Sequence, residues 1–358
     1  MAHRMPAEWE PHEAVWLQWP HVSMRNTASY ARRLQSTWLE MAAILSDHVL
    51  LRIAATSDDA AAEIERDCAR FGANMSRLEL HAIPLDDVWA RDIGPIFVKH
   101  ADGRVIATSW NFNGWGQDAG NTSRDRLVPA IISQVCGLEM RVGGIVTEGG
   151  AIEVNGTGTL MATRSSIINP NRNPGRSQME IEVALTELLG ASNFIWLSGA
   201  PSDACLRLGD ATDFHIDLVA RFVARNVVLA NCTEDESDGR KPFMDRHIQE
   251  LKRATDETGS PLEVIPLPAP RVLSVNTIRF SGTEGSIEPG ATTDASYSNY
   301  LVTNGLVLMP AYGRPEDARA KAILAEHFPG RDVIGVSAIT MTEQGGAVHC
   351  VTQQQPAV

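Results

Sequence analysis

Tyr300-Leu301-Val302-Thr303-Asn304-Gly305-Leu306-Val307-Leu308-Met309-Pro310 sets two apolar, β-branched runs on either side of Asn304-Gly305. An Asn-Gly pair adopts the left-handed backbone that a two-residue turn needs, so the stretch predicts a hairpin joining Tyr300–Thr303 to Leu306–Pro310. Downstream, the apolar spacing near Pro315–His327 predicts a helix, and Asp332–Val336 reads as one more strand. The unit is therefore strand, strand, helix, strand.

Read outward from there, the same order recurs. Ile96–His100 and Arg104–Trp110 flank Ala101-Asp102-Gly103, followed by an amphipathic stretch over Arg124–Val135 and a strand over Leu138–Val142. Ala151–Asn155 and Thr159–Thr163 flank Gly156-Thr157-Gly158, followed by a helix over Gln178–Leu189 and a strand over Asn193–Leu197. Leu218–Ala224 and Val227–Asn231 flank Arg225-Asn226, followed by a helix over Lys241–Thr258 and a strand over Leu262–Pro266. The N-terminal region gives a less regular fifth unit: strands Ala14–Trp19, His48–Ala54 and Arg77–Ala82, with helices over Ser29–Leu45 and Asp58–Phe71. It lacks a local hairpin partner, and the strand expected over Ala347–Thr352 is positioned to supply one by pairing the two chain ends. The fold class is α/β, and the repeats suggest ββαβ units closed into a pseudo-symmetric ring. An ordinary mixed α/β sandwich is the alternative. No linker or low-complexity segment divides residues 1–358, which read as one domain.

At 358 residues and 44% hydrophobic content the chain can bury a substantial core. Its first residues lack the apolar stretch of a signal peptide and no apolar run is long enough to span a bilayer, so a cytoplasmic protein with no membrane partner is expected. Five widely spaced cysteines without a Cys-x-x-Cys pair argue against a disulfide framework and a zinc finger. A net charge of -13 disfavours nucleic acid and suits a cationic small molecule. Oligomeric state stays open, with a homodimer as the alternative to a monomer.

Four polar islands mark points where hairpins begin or end. Asp86-Asp87-Val88-Trp89-Ala90-Arg91-Asp92 precedes the strand at Ile96, and Glu148-Gly149-Gly150 precedes the one at Ala151. Asp210-Ala211-Thr212-Asp213-Phe214-His215-Ile216-Asp217 leads into Leu218-Val219-Ala220. In extended backbone His215 and Asp217 share a face, which sets an imidazole beside a carboxylate. The fourth island is Gly345-Gly346-Ala347-Val348-His349-Cys350, where strand alternation turns His349 away from Cys350. Each island alone reads equally as a turn, a bulge or a structural ion pair. Together they offer a nucleophile, an acid/base and an anionic pocket. A cysteine protease has little use for so many acids, because its transition state develops negative charge. A guanidinium does, because carboxylates meet its fork of N–H groups with paired hydrogen bonds. The chemistry points to thiolate attack on a guanidinium carbon.

In these motifs, and in Met5-Pro6-Ala7-Glu8-Trp9-Glu10-Pro11, Trp110-Asn111-Phe112-Asn113, Asn169-Pro170-Asn171-Arg172-Asn173-Pro174, Ser296-Tyr297 with Asn299, and the block Gly345–Pro356, the chain resembles the agmatine deiminase and bacterial-type peptidylarginine deiminase family of guanidino-group-modifying enzymes. The resemblance implies a five-bladed α/β propeller, the pentein fold. It implies Cys350 as nucleophile, His215 as general acid and base, Asp92 and Asp217 as the carboxylates that grip the guanidinium, and Glu148 as a further acid near His215. Trp89 is implied as a pocket wall, and Asp86, Asp87, Phe214, Asn299 and Gly346 are further expected substrate contacts. The implied reaction is hydrolysis of agmatine to N-carbamoylputrescine and ammonia through an amidino-thioether, with no metal and no organic cofactor. Phe214, where the family usually has another residue such as Gly, and Ala211, Asp213 and Ala347 depart from the pattern. A ring beside His215 is expected to reshape the pocket, which leaves free arginine, peptidyl arginine and other guanidines open as substrates. An amidinotransferase and a non-catalytic guanidine-binding protein are the competing readings. Metal binding by His215, Asp217, His349 and Cys350 is disfavoured, because alternation turns His349 away.

Overall fold

A computed structural model describes residues 3–21, 28–116, 122–201, 204–205, 210–271, 274–281, 284–293 and 295–358. The hairpin at Asn304-Gly305 forms as the sequence requires: Leu301–Thr303 pairs antiparallel with Leu306–Ala311, Thr303 facing Leu306 across the turn. The helix Glu316–His327 then returns the chain so that Asp332–Ser337 adds in parallel to the second hairpin strand. A parallel neighbour needs such a crossover, which is why the helix separates them.

Three more sheets repeat this order. Ile96–His100, Val105–Ser109 and Glu139–Val142 form one, extended at its edge by His3–Arg4. Glu153–Val154, Thr159–Thr163 and Asn193–Leu197 form the next. Ala220–Ala224, Val227–Cys232 and Glu263–Pro268 form the third. One of the intervening helices starts at a capping box. Ser177 accepts from Glu180 N–H while the Glu180 carboxylate reaches back to Ser177, which begins the helix Gln178–Leu189.

The fifth sheet joins the chain ends. Thr352–Pro356 pairs antiparallel with His12–Gln18, which pairs in parallel with Leu50–Ala55 and onward to Leu78–Ala82. The C-terminal strand thus takes the place of the missing hairpin partner, but it starts later than expected. Residues 348–351 form a turn, closed by Val351 N–H on the Ala347 carbonyl, so Cys350 stands in a turn and not on a strand. The pairing strand is held by Gln355, whose Oε1 accepts from Trp16 Nε1 at 3.0 Å and Arg52 Nη1 at 2.8 Å.

One element lies outside the repeat: a hairpin of Ser274–Ser281 and Glu284–Thr292, unpaired with any other sheet among the described residues. Pro289 and Gly290 interrupt its second strand in sequence and hide it from a periodicity reading. No described sheet closes on itself. Helices pack on the five repeated sheets, and central strands such as Ala14-Val15-Trp16-Leu17 are buried on both faces.

A common position emerges from these ranges. Each of the five sheets begins with a first strand, and just before it stands one polar island or its equivalent: Asp92 before Ile96, Glu148-Gly149-Gly150 before Glu153, His215 and Asp217 before Ala220, Asn299 before Leu301, and Cys350 before Thr352. Local turns hold them there, the short helix Ala90–Ile93 and the 3-10 turns Gly149–Ala151 and Ile216–Leu218 among them.

Candidate active site

These five pre-strand segments meet. Arg91 N–H donates to the Cys350 carbonyl at 3.1 Å, and His349 N–H and Cys350 N–H both donate to Asn299 Oδ1, at 3.0 and 3.3 Å. Gly150 is packed so tightly at their centre that a Cβ there would lie 2.6 Å from His215 Nδ1, 2.9 Å from Asp92 Oδ1 and 3.1 Å from Asp217 Oδ2. Only glycine lets an imidazole and two carboxylates approach one another over the backbone. Gly346 is fixed by similar crowding, since a Cβ there would meet the Trp89 ring at 2.3 Å.

The side chains are buried: Cys350 is 5% exposed, Asp92 7%, His215 1%, and Asp217 and Glu148 0%. Cys350 Sγ accepts from Asn299 Nδ2 at 3.2 Å and lies 3.8 Å from Asp217 Oδ2. His215 Nε2 is 3.1 Å from Glu148 Oε2, while its Nδ1 stands 3.7 Å from Asp92 Oδ1 without a hydrogen-bond partner among the described residues. Asp92 accepts from Gly150 N–H through Oδ1 and from Trp115 Nε1 through Oδ2, both at 2.9 Å. Asp217 Oδ2 is taken up by His349 Nδ1 at 2.8 Å and Asn299 Nδ2 at 3.1 Å, and its Oδ1 has no hydrogen-bond partner among the described residues.

Electrostatics separate the roles these groups can take. Burial depresses the pKa of His215, but Asp92, Glu148 and Asp217 outweigh it and bring it up to about 9, so it carries a proton at neutral pH. Burial also pushes the Cys350 thiol well up, and Asp217 and Asp92 add to the shift, so the thiol too is protonated. Burial raises Asp92, only partly offset by His215, whereas for Asp217 the bond and charge of His349, with His215 and Arg221, overcome the burial and hold it below the usual range. Two adjacent buried acids thus differ: Asp217 is hydrogen-bonded to His349 at 2.8 Å, whereas Asp92 has His215 only at 3.7 Å. For Glu148, burial is likewise outweighed, by Arg172 and His215.

The sequence motifs explain this support. Arg172, fully buried, donates to Glu148 Oε1 at 2.8 Å and to Asp213 Oδ2 at 3.0 Å, tying two site loops together. Asn173 holds the same loop through the Val146 and Ile167 carbonyls.

Several expected residues sit elsewhere than their sequence suggested. His349 does not turn away: with the segment in a turn, alternation does not apply, and its ring lies between Asp217 and Glu8. The argument from alternation against a metal therefore fails, although both ring nitrogens are engaged by carboxylates; among the described residues no group of three or more His, Cys, Asp and Glu is arranged to hold a metal ion. His215 and Asp217 do approach one point, yet through a 3-10 turn, and the bonded partner of His215 is Glu148. The Phe214 ring, expected beside His215 as a group that reshapes the pocket, stands against other rings. Asp213 and Phe214 both have left-handed backbone (φ 61° and 62°), stabilised by Asp210 accepting from Phe214 N–H, and this turns the ring toward Phe243 and His247 at centroid distances of 5.7 and 6.2 Å. It borders a small separate cavity with Met244 and His247. Asp86 and Asp87 hold the loop ahead of Trp89: Asp86 Oδ2 accepts from Arg124 N–H, Asp87 Oδ1 from Val88 N–H, and both backbones donate to Asp125, whose carboxyl burial and Asp87 push up to about 8. Trp115 and Arg172 carry contacts that the sequence reading did not assign. A Trp two residues beyond Trp110-Asn111-Phe112-Asn113 was the available signal for the first. A cavity of about 390 Å³ borders the cluster through Asp92 and Gly149, with Trp110, Asn113 and Arg126 also on its wall.

The arrangement can hold a planar cation between Asp92 and Asp217, present its carbon to a thiol and exchange a proton with an imidazole. Comparisons with known proteins agree. The family model described as Porphyromonas-type peptidyl-arginine deiminase matches residues 4–356. The agmatine deiminase of Ectopseudomonas mendocina is 34% identical over 363 residues, covering 99% of this chain and 95% of its own length. The solved agmatine deiminase of Enterococcus faecalis superposes with a TM-score of 0.88 at 28% identity, covering 99% of this chain and 96% of that one. An amidinotransferase from Microseira wollei, at 12% identity and a TM-score of 0.53, covers 98% of this chain and 96% of that one and shares the fold alone.

Proposed function

The chain belongs to the Porphyromonas-type peptidyl-arginine deiminase family, and from that membership and the geometry of its site we propose that it is a hydrolase of linear amidines that deiminates a small guanidine, agmatine before others, giving N-carbamoylputrescine and ammonia. The observation that carries the reading is the meeting of one thiol, one protonated imidazole and two buried carboxylates around Gly150.

In the proposed mechanism the guanidinium docks with Asp92 and Asp217, where the free Asp217 Oδ1 accepts one of its N–H groups. Its positive charge offsets the two carboxylates that hold the Cys350 thiol protonated, so binding itself favours the thiolate. With the guanidinium bound, the thiol releases its proton to solvent, the thiolate Sγ attacks the guanidinium carbon, a C–N bond breaks, and His215, bonded to Glu148, gives its proton to the departing ammonia. An amidino-thioether on Cys350 remains, its amidino group still cationic. Neutral His215 then takes a proton from water, the hydroxyl adds to the same carbon, and the C–S bond breaks as the hydroxyl proton passes to the sulfur, which restores the thiol and releases the ureido product, while the proton first released to solvent makes the ammonia ammonium. Overall one guanidinium and one water give one urea and one ammonium. Asn299 orients the thiol, and Trp89, packed on Gly346, walls the turn that carries it. No metal or organic cofactor has a step in this scheme.

The fold reading goes with it: the five similar sheets are taken as blades of a pseudo-symmetric propeller in one catalytic domain, supported by their shared strand order and by the pairing of the chain ends. The cytoplasm is the proposed setting because a reactive thiol needs a reducing compartment and all five cysteines are free. A homodimer is the proposed assembly, and nucleic acid is not a proposed partner of a chain with net charge -13.

Purified protein is to be assayed against agmatine, free arginine, a peptidyl arginine and small guanidino acids for ammonia and ureido product. Turnover of agmatine above the others supports the reading. Selective turnover of another guanidine replaces the substrate, and ammonia-free transfer of the amidino group to an amine would replace the hydrolase.

A further inference from the structure

Two features of the sequence take no part in the mechanism above, yet they touch. One is the N-terminal motif around Glu8, and the other is the histidine before the thiol. Glu8 Oε2 lies 2.8 Å from His349 Nε2 and 2.9 Å from Arg221 Nη2, while its Oε1 accepts from Val302 N–H at 2.8 Å. The opposite ring nitrogen, His349 Nδ1, lies 2.8 Å from Asp217 Oδ2. Glu8, His349 and Asp217 are all buried, so water does not share these contacts.

Burial opposes ionisation of both acids, but Arg221 and His349 hold Glu8 well below the usual carboxylate range, and His349 does the same for Asp217. Each ring nitrogen of His349 thus lies at hydrogen-bond distance from a carboxylate oxygen, which fixes the ring between Glu8 and Asp217. Asp217 is also faced by His215, Arg221 and Arg91, and by the acidic Asp92 and the Cys350 thiol. Behind His349 stands Glu153, paired with Arg221 at 2.7 Å. Of the basic side chains His349, His215, Arg221 and Arg91, His349 is the one hydrogen-bonded to Asp217.

We propose that His349, anchored by Glu8, is a positioning residue that fixes the Asp217 side chain by one oxygen and keeps it ionised, leaving its other oxygen turned to the guanidinium. The N-terminal motif then acts on the site through a single ring. This rests on the deiminase reading for the identity of the cation.

The test compares the intact protein with Glu8→Gln and His349→Gln. Gln at position 8 keeps the shape and the acceptor for Val302 N–H while removing the charge. The pH dependence of kcat/KM for agmatine is expected to shift its acid limb upward, by about one to three pH units in His349→Gln and less in Glu8→Gln, with KM rising more than kcat falls. An acid limb that stays in place while activity merely drops overturns the proposal. A readout without turnover separates its failure from that of the deiminase reading: alkylation of Cys350 by cationic 2-chloroacetamidine and by neutral iodoacetamide at about pH 6, below the unperturbed histidine value of about 6.5. The preference for the cation is expected to fall about tenfold or more in either variant, one pKa unit being a factor of ten, and an unchanged preference overturns the proposal. If His349→Gln does not fold, Glu8→Gln carries both measurements.

Discussion

At the scale of single residues, charge decides which of two neighbouring acids is permanently ionised and what state the thiol rests in. Asp217 is hydrogen-bonded to His349, while Asp92 has His215 only at 3.7 Å and takes its hydrogen bonds from the uncharged Gly150 and Trp115. Burial and then Asp217 and Asp92 raise the Cys350 thiol, so removing a negative charge brings its pKa down. Asp92→Asn is therefore expected to act in two opposite directions. Alkylation of Cys350 by iodoacetamide at neutral pH should quicken by about tenfold for each unit the thiol descends. Turnover should fall by about a hundredfold or more, since the guanidinium loses a partner realised at the reacting centre. Parallel loss of both rates would show that Asp92 acts only by maintaining the fold.

At the scale of elements, the site is built on turns that precede strands, and their mutual bracing matters more than any strand. Arg172 is the clearest case, because its guanidinium joins the loop after Ile167 to Glu148 and to Asp213, and both of its Nε and Nη1 bonds are inside the protein. Arg172→Ala leaves Glu148 buried with His215 as its remaining bonded partner, and should cost about 3–5 kcal/mol of unfolding free energy by urea titration. A loss below about 1 kcal/mol would mean that the pair is dispensable. These elements also show what a sequence carries and what it withholds. Asn304-Gly305 and the alternation around it are local properties, so the hairpins, their crossover helices and the pairing of the chain ends were legible. The state of Cys350 was less so: its segment has strand-forming residues, but crowding of Gly346 against Trp89 and the bonds to Asn299 hold it as a turn, which reverses where His349 points. Phe214 misled for a related reason, as two consecutive residues at positive φ redirect a ring in a way that no periodicity encodes.

At the scale of the whole molecule, five sheets of like design each contribute the residue just ahead of their first strand, and the polar residues spread from Asp92 to Cys350 come together because the repeat brings the same position back five times. The C-terminal strand has its own part in this. By pairing with His12–Gln18 it ties the last site residue to the N-terminal strand and brings Glu8 against His349. Support of this kind explains why identity of only 28% coexists with a TM-score of 0.88 to the Enterococcus faecalis enzyme: strand order can persist while surface residues drift. The account as a whole stands on one sulfur atom. Its most direct test is the yield of ureido product from agmatine by Cys350→Ala, with thermal unfolding measured on the same preparation. The account predicts no product above the uncatalysed background and an unfolding transition like that of the unaltered protein; ureido product formed at the unaltered rate by the folded variant would contradict it.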